Sequence, residues 1–250
     1  MLYRETPRDS GATVTDVLFA NEIVVVARPI LLLGLWRLPP HCQAALQSLL
    51  CTEKPKGGTM FPIYTDRLTL RHFEPTDADS LYEFYRRPDV VQYLYWNPQS
   101  KTDTEKMLFE RLSPTHLAQD NDKLVLAVVL TEIDKLIGEV SLAMRSREHQ
   151  QGEIGFALNP VYQGNGYATE ATQVALRLGF EQYSFHRLFG RCDARNKPSA
   201  RLMERLGMRR EAHFIHNEIF KGEWGDELVY AILQNEWQRT YHLETQQPPP

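Results

Sequence analysis

The segment that most restricts this chain is a strand, a glycine-rich turn and a helix in immediate succession. It reads Glu153-Ile154-Gly155-Phe156-Ala157-Leu158, continues through Gln163-Gly164-Asn165-Gly166-Tyr167-Ala168, and runs on into Thr169-Glu170-Ala171. Ala171, Val174, Ala175 and Leu178 recur at helical spacing and give a helix over Ala168–Gln182 one apolar stripe. Glycines at 164 and 166 open backbone angles closed to other residues, so several N–H groups can converge on one concavity. The start of the helix adds free N–H groups and partial positive charge. Such a place takes a phosphate or pyrophosphate without a lysine.

Other phosphate motifs fit less well. A P-loop needs Lys-Ser or Lys-Thr after its glycines, and neither follows here. The dinucleotide fingerprint begins at Gly164-Asn165-Gly166 but meets Thr169 at its last position, and its glycines come well beyond Leu158 rather than at the strand's end. Asp193, ending the next strand, can imitate the acid that holds a ribose, so a nicotinamide dinucleotide stays open. So does a glycine turn that merely introduces a packing helix.

Around this segment the pattern is a mixed α/β domain. Expected strands are Arg67–Arg71, Lys123–Leu130, Lys135–Met144, Glu153–Leu158, Leu188–Cys192, Met208–Phe220 and Glu223–Leu233. Thr76 or Asp77 caps a helix with Ala78, Leu81, Phe84 and Tyr85 on one face. Pro88 opens a short helix through Leu94, Thr102 caps another to about Leu117, and Pro198–Leu206 forms one stopped by Gly207. A strand–helix–strand crossover lies in the middle.

The chain of 250 residues is 42% hydrophobic and 24% charged, as an ordinary globule is. A net charge of -4 gives no global attraction to nucleic acid or anionic lipid, so neither is expected as a partner. Three scattered cysteines suit a reducing compartment, and a cytoplasmic location is expected. Residues 17–35 are apolar, but Asn21, Glu22, Arg28 and Pro29 cut them into pieces shorter than the roughly 20 residues of a membrane span. Glu5, Asp9 and Asp16 precede that run, unlike the basic start of a secretory leader. Pro39-Pro40 and Lys54-Pro55-Lys56-Gly57-Gly58 read as linker. Residues 1–59 are therefore expected to be a poorly structured extension, with Met60 a possible start site. Residues 60–242 form the domain and 243–250 a disordered tail.

Gln163-x-x-Gly166-x-Ala168 resembles the Gln/Arg-x-x-Gly-x-Gly/Ala motif of the GNAT superfamily of acyl-CoA-dependent N-acetyltransferases. Thr65-Asp66-Arg67-Leu68-Thr69-Leu70-Arg71 is similar to that family's first strand, and Asn196-Lys197-Pro198-Ser199 with Leu206-Gly207-Met208 to its late helix. Gly222-Glu223-Trp224-Gly225-Asp226, Tyr230 and Glu236-Trp237 resemble the end of the RimJ/RimL-type ribosomal-protein acetyltransferases. The resemblance spans about residues 63–240. It implies a GNAT fold: a mostly antiparallel mixed sheet of six to seven strands, flanked by helices and parted to form an acyl-CoA cleft.

The resemblance also implies roles. The backbone from Gln163 through Gly164, Asn165, Gly166 and Tyr167 to Ala168 would hold the CoA pyrophosphate. Backbone groups of Phe156, Ala157 and Leu158 would pair with the pantetheine amides, one N–H polarising the thioester carbonyl as an oxyanion hole does. Asn196 would bond the pantetheine arm, although an Asn before Pro198 is equally a helix cap. Ser199, or else water, would protonate the departing thiolate, although a first-turn serine is commonly only a local hydrogen bonder. Many family members carry a tyrosine acid where this chain has Met203, which cannot donate a proton. Acetyl-CoA is thus the implied acyl donor and no metal is called for.

Glu153 opens the strand lining the cleft and is the candidate base, directly or through water, with Glu139 second. A solvated carboxylate at a strand end is the plain alternative for Glu153. His213 and His216 on one strand would point to opposite faces, and no metal-ligand spacing occurs. Cys192 reads as a core thiol. Tyr93-Leu94-Tyr95-Trp96 would line an acceptor pocket in part and pack in part. The implied reaction is acetyl transfer by direct attack of an amine, foremost a protein N-terminal α-amine. The alternatives are a small-molecule amine (amino sugar, polyamine or amino acid derivative) or a CoA-binding module without turnover. The chain is expected as a monomer or homodimer.

Overall fold

The computed structural model describes residues 61–113 and 116–246; the expected extension and residues 247–250 of the expected tail lie outside the described residues. The strands are β1 (Ile63–Tyr64), β2 (Leu68–Arg71), β3 (Lys123–Leu130), β4 (Lys135–Ser146), β5 (Gln151–Leu158), β6 (Arg187–Asp193), β7 (Arg209–Phe220) and β8 (Glu223–Leu233). The α-helices are α1 (Ala78–Tyr85), α2 (Pro88–Val91), α3 (Lys101–Arg111), α4 (Tyr167–Arg177), α5 (Lys197–Arg205) and α6 (Gln234–Gln246).

All eight strands form one sheet in the order β1-β2-β3-β4-β5-β6-β8-β7. Only β5 and β6 run parallel; every other neighbouring pair is antiparallel. The fold is the mixed, mostly antiparallel one expected, with one more strand. That extra strand, β1, has two residues, too few to show an alternation.

Both faces of the middle strands are covered, which is why β3 and β4 are apolar nearly throughout. On one face Leu124, Leu126 and Val128 of β3 join Ala171, Val174 and Ala175 of α4 and Leu202 and Met203 of α5. On the other, Ala127 and Val129 pack with Leu81, Phe84 and Tyr85 of α1 and Leu108 of α3. The apolar stripe read in α4 and that read in α1 therefore cover opposite sides of the same strand.

Several boundaries differ from expectation for local reasons. Ser100, not Thr102, caps α3, its hydroxyl oxygen accepting the Asp103 N–H at 3.2 Å. That helix stops at Arg111 rather than near Leu117. Asp77 is the N-cap residue of α1, as expected, but its carboxylate turns back to the Glu74 N–H at 2.8 Å and to Arg71, closing the capping box of the preceding 3-10 turn. The central helix ends at Arg177 and continues as a π-helical turn, Leu178–Gln182. Helix α6 was not expected, and it runs into the stretch assigned to the tail.

The feature that positions the site is a short pairing. β5 and β6 pair only through Gln151↔Arg187, Gly152↔Leu188 and Glu153↔Phe189. Beyond Glu153, β5 stays with β4 as far as Leu158, while β6 stays with β8 as far as Asp193. The sheet parts between them.

Candidate active site

A cleft of about 680 Å³ opens at the parting. Phe156, Ala157 and Leu158 of β5 line it, with Gln163, Gly164, Gly166, Tyr167 and Ala168 of the turn, and Asn196 and Ser199 at the start of α5. The sequence-derived donor residues thus come together, with one exception. Asn165 folds back, its side-chain amide donating to the Tyr162 and Gln163 carbonyls at 3.3 Å each. It shapes the turn from behind.

The turn has the geometry an anion needs. Gly164 and Gly166 both sit at φ 84°, in the left-handed region. Gly166 is the N-cap of α4, where no side chain caps the helix, so its first N–H groups keep their donor capacity. Gln163 donates from its side chain to the Leu158 carbonyl at 3.2 Å, tying the turn to the end of β5. Arg67 braces it from outside: it donates to the Asn165 carbonyl at 2.9 Å, pairs with Glu170, and lies over the Tyr167 ring at 4.7 Å. Glu170 also accepts from the Thr65 hydroxyl at 2.6 Å. Burial pushes the Glu170 carboxyl up, but the bonds from Thr65 and Arg67 outweigh it and leave it below its ordinary value.

At α5 the two roles considered for Asn196 prove compatible. Its side-chain oxygen accepts the Ser199 N–H at 3.2 Å and caps the helix, leaving the amide nitrogen for the cleft. Ser199 is half-buried at the cleft wall. Met203 is buried and lies against Gly190, where an added Cβ would come within 2.8 Å of its sulfur.

A second depression, about 80 Å³, lies at the same parting, on the stretch of sheet formed by β5, β6, β8 and β7. Glu153 is here rather than in the cleft, with Asp193, Glu218, Asp226 and Glu227 around Arg191. Among the described residues Tyr93 is the only one that lines both concavities. Glu153 accepts from Arg145 at 2.7 Å and from Arg191 at 3.1 Å. Glu227 accepts from Arg191 at 3.2 Å and from the Asn217 amide at 3.0 Å. Burial raises the Glu227 carboxyl; Arg191 offsets this in part, while Glu218 and Glu153 add to it. The Tyr95 phenol donates to Glu218 at 2.8 Å and is pushed up to about 12, by burial first and then by that bond. Lys221 donates to the Val91 carbonyl at 2.7 Å, tying the β7–β8 hairpin to α2.

Other expected positions are placed elsewhere. Glu139 is buried beside Ala157 in register and ion-paired with Arg111, under α1 and α3. Asp193 is held by Arg195 at 2.7 Å and faces the depression, away from the glycine turn. Trp96 packs edge-on to Tyr85 at 5.8 Å, whereas Tyr93 and Tyr95 line the depression. Cys192 is half-buried, and burial followed by its acidic neighbours pushes its thiol up to about 11. The regular alternation on which the expected opposition of His213 and His216 rests is interrupted. A bulge between Phe214 and Glu218 breaks the alternation, with His216 at φ 48°. His213 then comes within 3.4 Å of Asp226, whose other oxygen accepts the His216 N–H at 3.0 Å. Arg191, Glu218 and Glu227 were missed. Their convergence depends on the pairing of β6, β8 and β7, which no local spacing encodes.

Comparisons with known proteins agree with this arrangement. The sequence matches the acetyltransferase (GNAT) domain family over residues 67–209. It is 38% identical over 176 residues to the uncharacterized N-acetyltransferase YnaD of Bacillus subtilis, covering 70% of this chain and 98% of that one. A crystal structure of a GNAT-family acetyltransferase from Bacillus anthracis superposes with a TM-score of 0.62 at 32% identity, covering 70% of this chain and 99% of the other. The spermidine N-acetyltransferase of Vibrio cholerae, solved in complex with CoA and spermine, shares the fold at a TM-score of 0.59 and 23% identity, with 70% and 99% covered. With a glycine turn at a helix N-terminus beside a parted sheet, and a family match across most of that sheet, the chain belongs to the GNAT family of acetyltransferases and is an N-acetyltransferase.

Proposed function

We propose that the protein transfers the acetyl group of acetyl-CoA to a primary amine of a small polycation, by direct attack across the parting of β5 and β6. One observation carries the choice of acceptor. The depression shares Tyr93 with the donor cleft, and its lining holds five carboxylates and one arginine. An amine with further positive charges along its length would be drawn there and held by its distal charges.

The donor half fits CoA by its chemistry. The N–H groups of the 163–168 turn and of α4 would take the pyrophosphate, and the edge of β5 that β6 leaves unpaired, from Phe156 to Leu158, the pantetheine amides. Bound acetyl-CoA supplies the activated acetyl thioester. A β5 N–H polarises its carbonyl, and Ser199 gives a proton to the departing sulfur.

A second reading takes the α-amine of a protein N-terminus, to which the RimJ/RimL-like residues point. Trp224 on the hairpin is 59% exposed and offers a peptide an apolar rest. An α-amine also needs roughly 3 kcal/mol less help to lose its proton than a lysine-like amine.

Thiol release from acetyl-CoA, followed with spermidine, putrescine, an amino sugar, free amino acids and short peptides, separates the readings. Turnover is expected to be greatest with spermidine. Turnover confined to peptides would transfer the assignment to N-terminal acetylation. Tight acetyl-CoA binding without turnover on any amine would mark a non-catalytic module.

A further inference from the structure

We propose that Glu227 is the base that takes the proton of the attacking amine, an inference that rests on the acetyl-transfer reading above. Two carboxylates flank Arg191 in the depression, and their partners differ. Glu153 has a guanidinium on each oxygen, Arg145 at 2.7 Å and Arg191 at 3.1 Å. Glu227 shares Arg191 at 3.2 Å and has only the neutral Asn217 amide, at 3.0 Å, on its second oxygen. Charge-assisted bonds from two arginines thus occupy both oxygens of Glu153. Glu227 is held less firmly.

Its surroundings push in the same direction. Glu227 is only 7% exposed. The charged and titratable groups about it are Arg191, Cys192 and Asp193 from β6, Glu153 from β5, Glu218 from β7, Asp226 beside it on β8, and Tyr93 and Tyr95 from the segment after α2. Asp193 stands opposite it in register but is engaged by Arg195, and Asp226 is engaged by His213 and His216. Burial, with Glu218 and Glu153 nearby, raises the Glu227 carboxyl. With one arginine against two, Glu227 is the carboxylate placed to receive the proton, and Glu153 helps attract the cation.

In the step itself the amine nitrogen uses its lone pair to bond the acetyl carbonyl carbon. The carbon–sulfur bond breaks and its electron pair leaves on sulfur. The proton shed by nitrogen goes to Glu227, which returns it to solvent at the open depression. Sulfur takes a proton from the Ser199 hydroxyl, which water restores.

The test uses the full chain with spermidine and acetyl-CoA. Glu227→Gln keeps the shape of the side chain and leaves Arg191 paired with Glu153. Its kcat should fall by about 100-fold or more, and the low-pH limb of its rate profile should flatten. Calorimetric affinity for acetyl-CoA and the Tm should stay near those of the parent. Glu153→Gln should instead raise the KM for spermidine and keep that limb. Independently of turnover, carboxyl carbon NMR of the parent against Glu227→Gln should find Glu227 titrating above ordinary glutamates. A Glu227→Gln enzyme with parental kcat and pH profile, or ordinary titration of Glu227, overturns the proposal while leaving acetyl transfer intact. A parent inactive on every amine in the panel overturns both.

Discussion

The guanidinium of Arg67 lies 2.6 Å from the carboxylate of Glu170, joining the approach to β2 to the first turn of α4 across 103 positions of chain. The same guanidinium reaches the Asn165 carbonyl, so the pair fixes the outer wall of the glycine turn. Breaking it should loosen the turn more than the fold, because Arg67 is half-exposed and such pairs contribute only about 0.2–1 kcal/mol. Arg67→Ala is expected to raise the Kd for CoA several-fold with little change in Tm, measured by calorimetry and thermal melting on one preparation.

Glu170 also makes a prediction about acid. Its carboxyl is below its ordinary value of 4.5 in the folded chain, so its stabilising contribution is complete above that value and is lost as pH falls through the lowered one. Melting curves of the parent and Glu170→Gln should therefore differ near pH 7 and converge in strong acid. Parallel curves at all pH values would contradict this.

Gly164 has open space around its missing side chain, so Gly164→Ala introduces backbone strain and no clash. The left-handed conformation costs about 1–2 kcal/mol for a residue with a Cβ. The chain is expected to relieve that strain by rotating the turn. The Kd for CoA should then rise about tenfold or more while the core stays folded. Circular dichroism alongside calorimetry checks both halves.

Tyr93 and Tyr95 should separate the two substrates kinetically. Tyr93 lines both concavities, so Tyr93→Ala should raise the KM for acetyl-CoA and for the amine together. Tyr95 touches the depression alone and braces Glu218, so Tyr95→Phe should raise the KM for the amine only.

The parts of this enzyme that were legible in the sequence are those whose physics is local. The glycine turn, the stripe on α4 and the Asn196 cap each lie within a few consecutive residues. Their identification needed only backbone freedom, periodicity and a side-chain acceptor. Glu153 was legible as a carboxylate at the mouth of the parting. Which way it faced was not, because the parity of β5 sends Ile154 and Phe156 to the α4 side and Glu153 to the other. Arg191 and Glu227 belong to strands joined to β5 only through the β5–β6–β8 order, and no spacing rule reveals them. The two-residue β1 and the bulge at His216 were hidden because each breaks the alternation that reveals a strand.

The brief pairing of β5 with β6 turns the sheet into a partition with a slot in it. On the proposed reading the thioester would arrive along the cleft and the amine along the depression, meeting where the slot is open. Among the described residues the two concavities share only Tyr93, so on that reading each substrate would bind while its counterpart is already seated. Initial-rate lines should therefore intersect, and desulfo-CoA should compete with acetyl-CoA without competing with the amine. A partition of this kind fixes where two molecules meet and leaves the order of their arrival free.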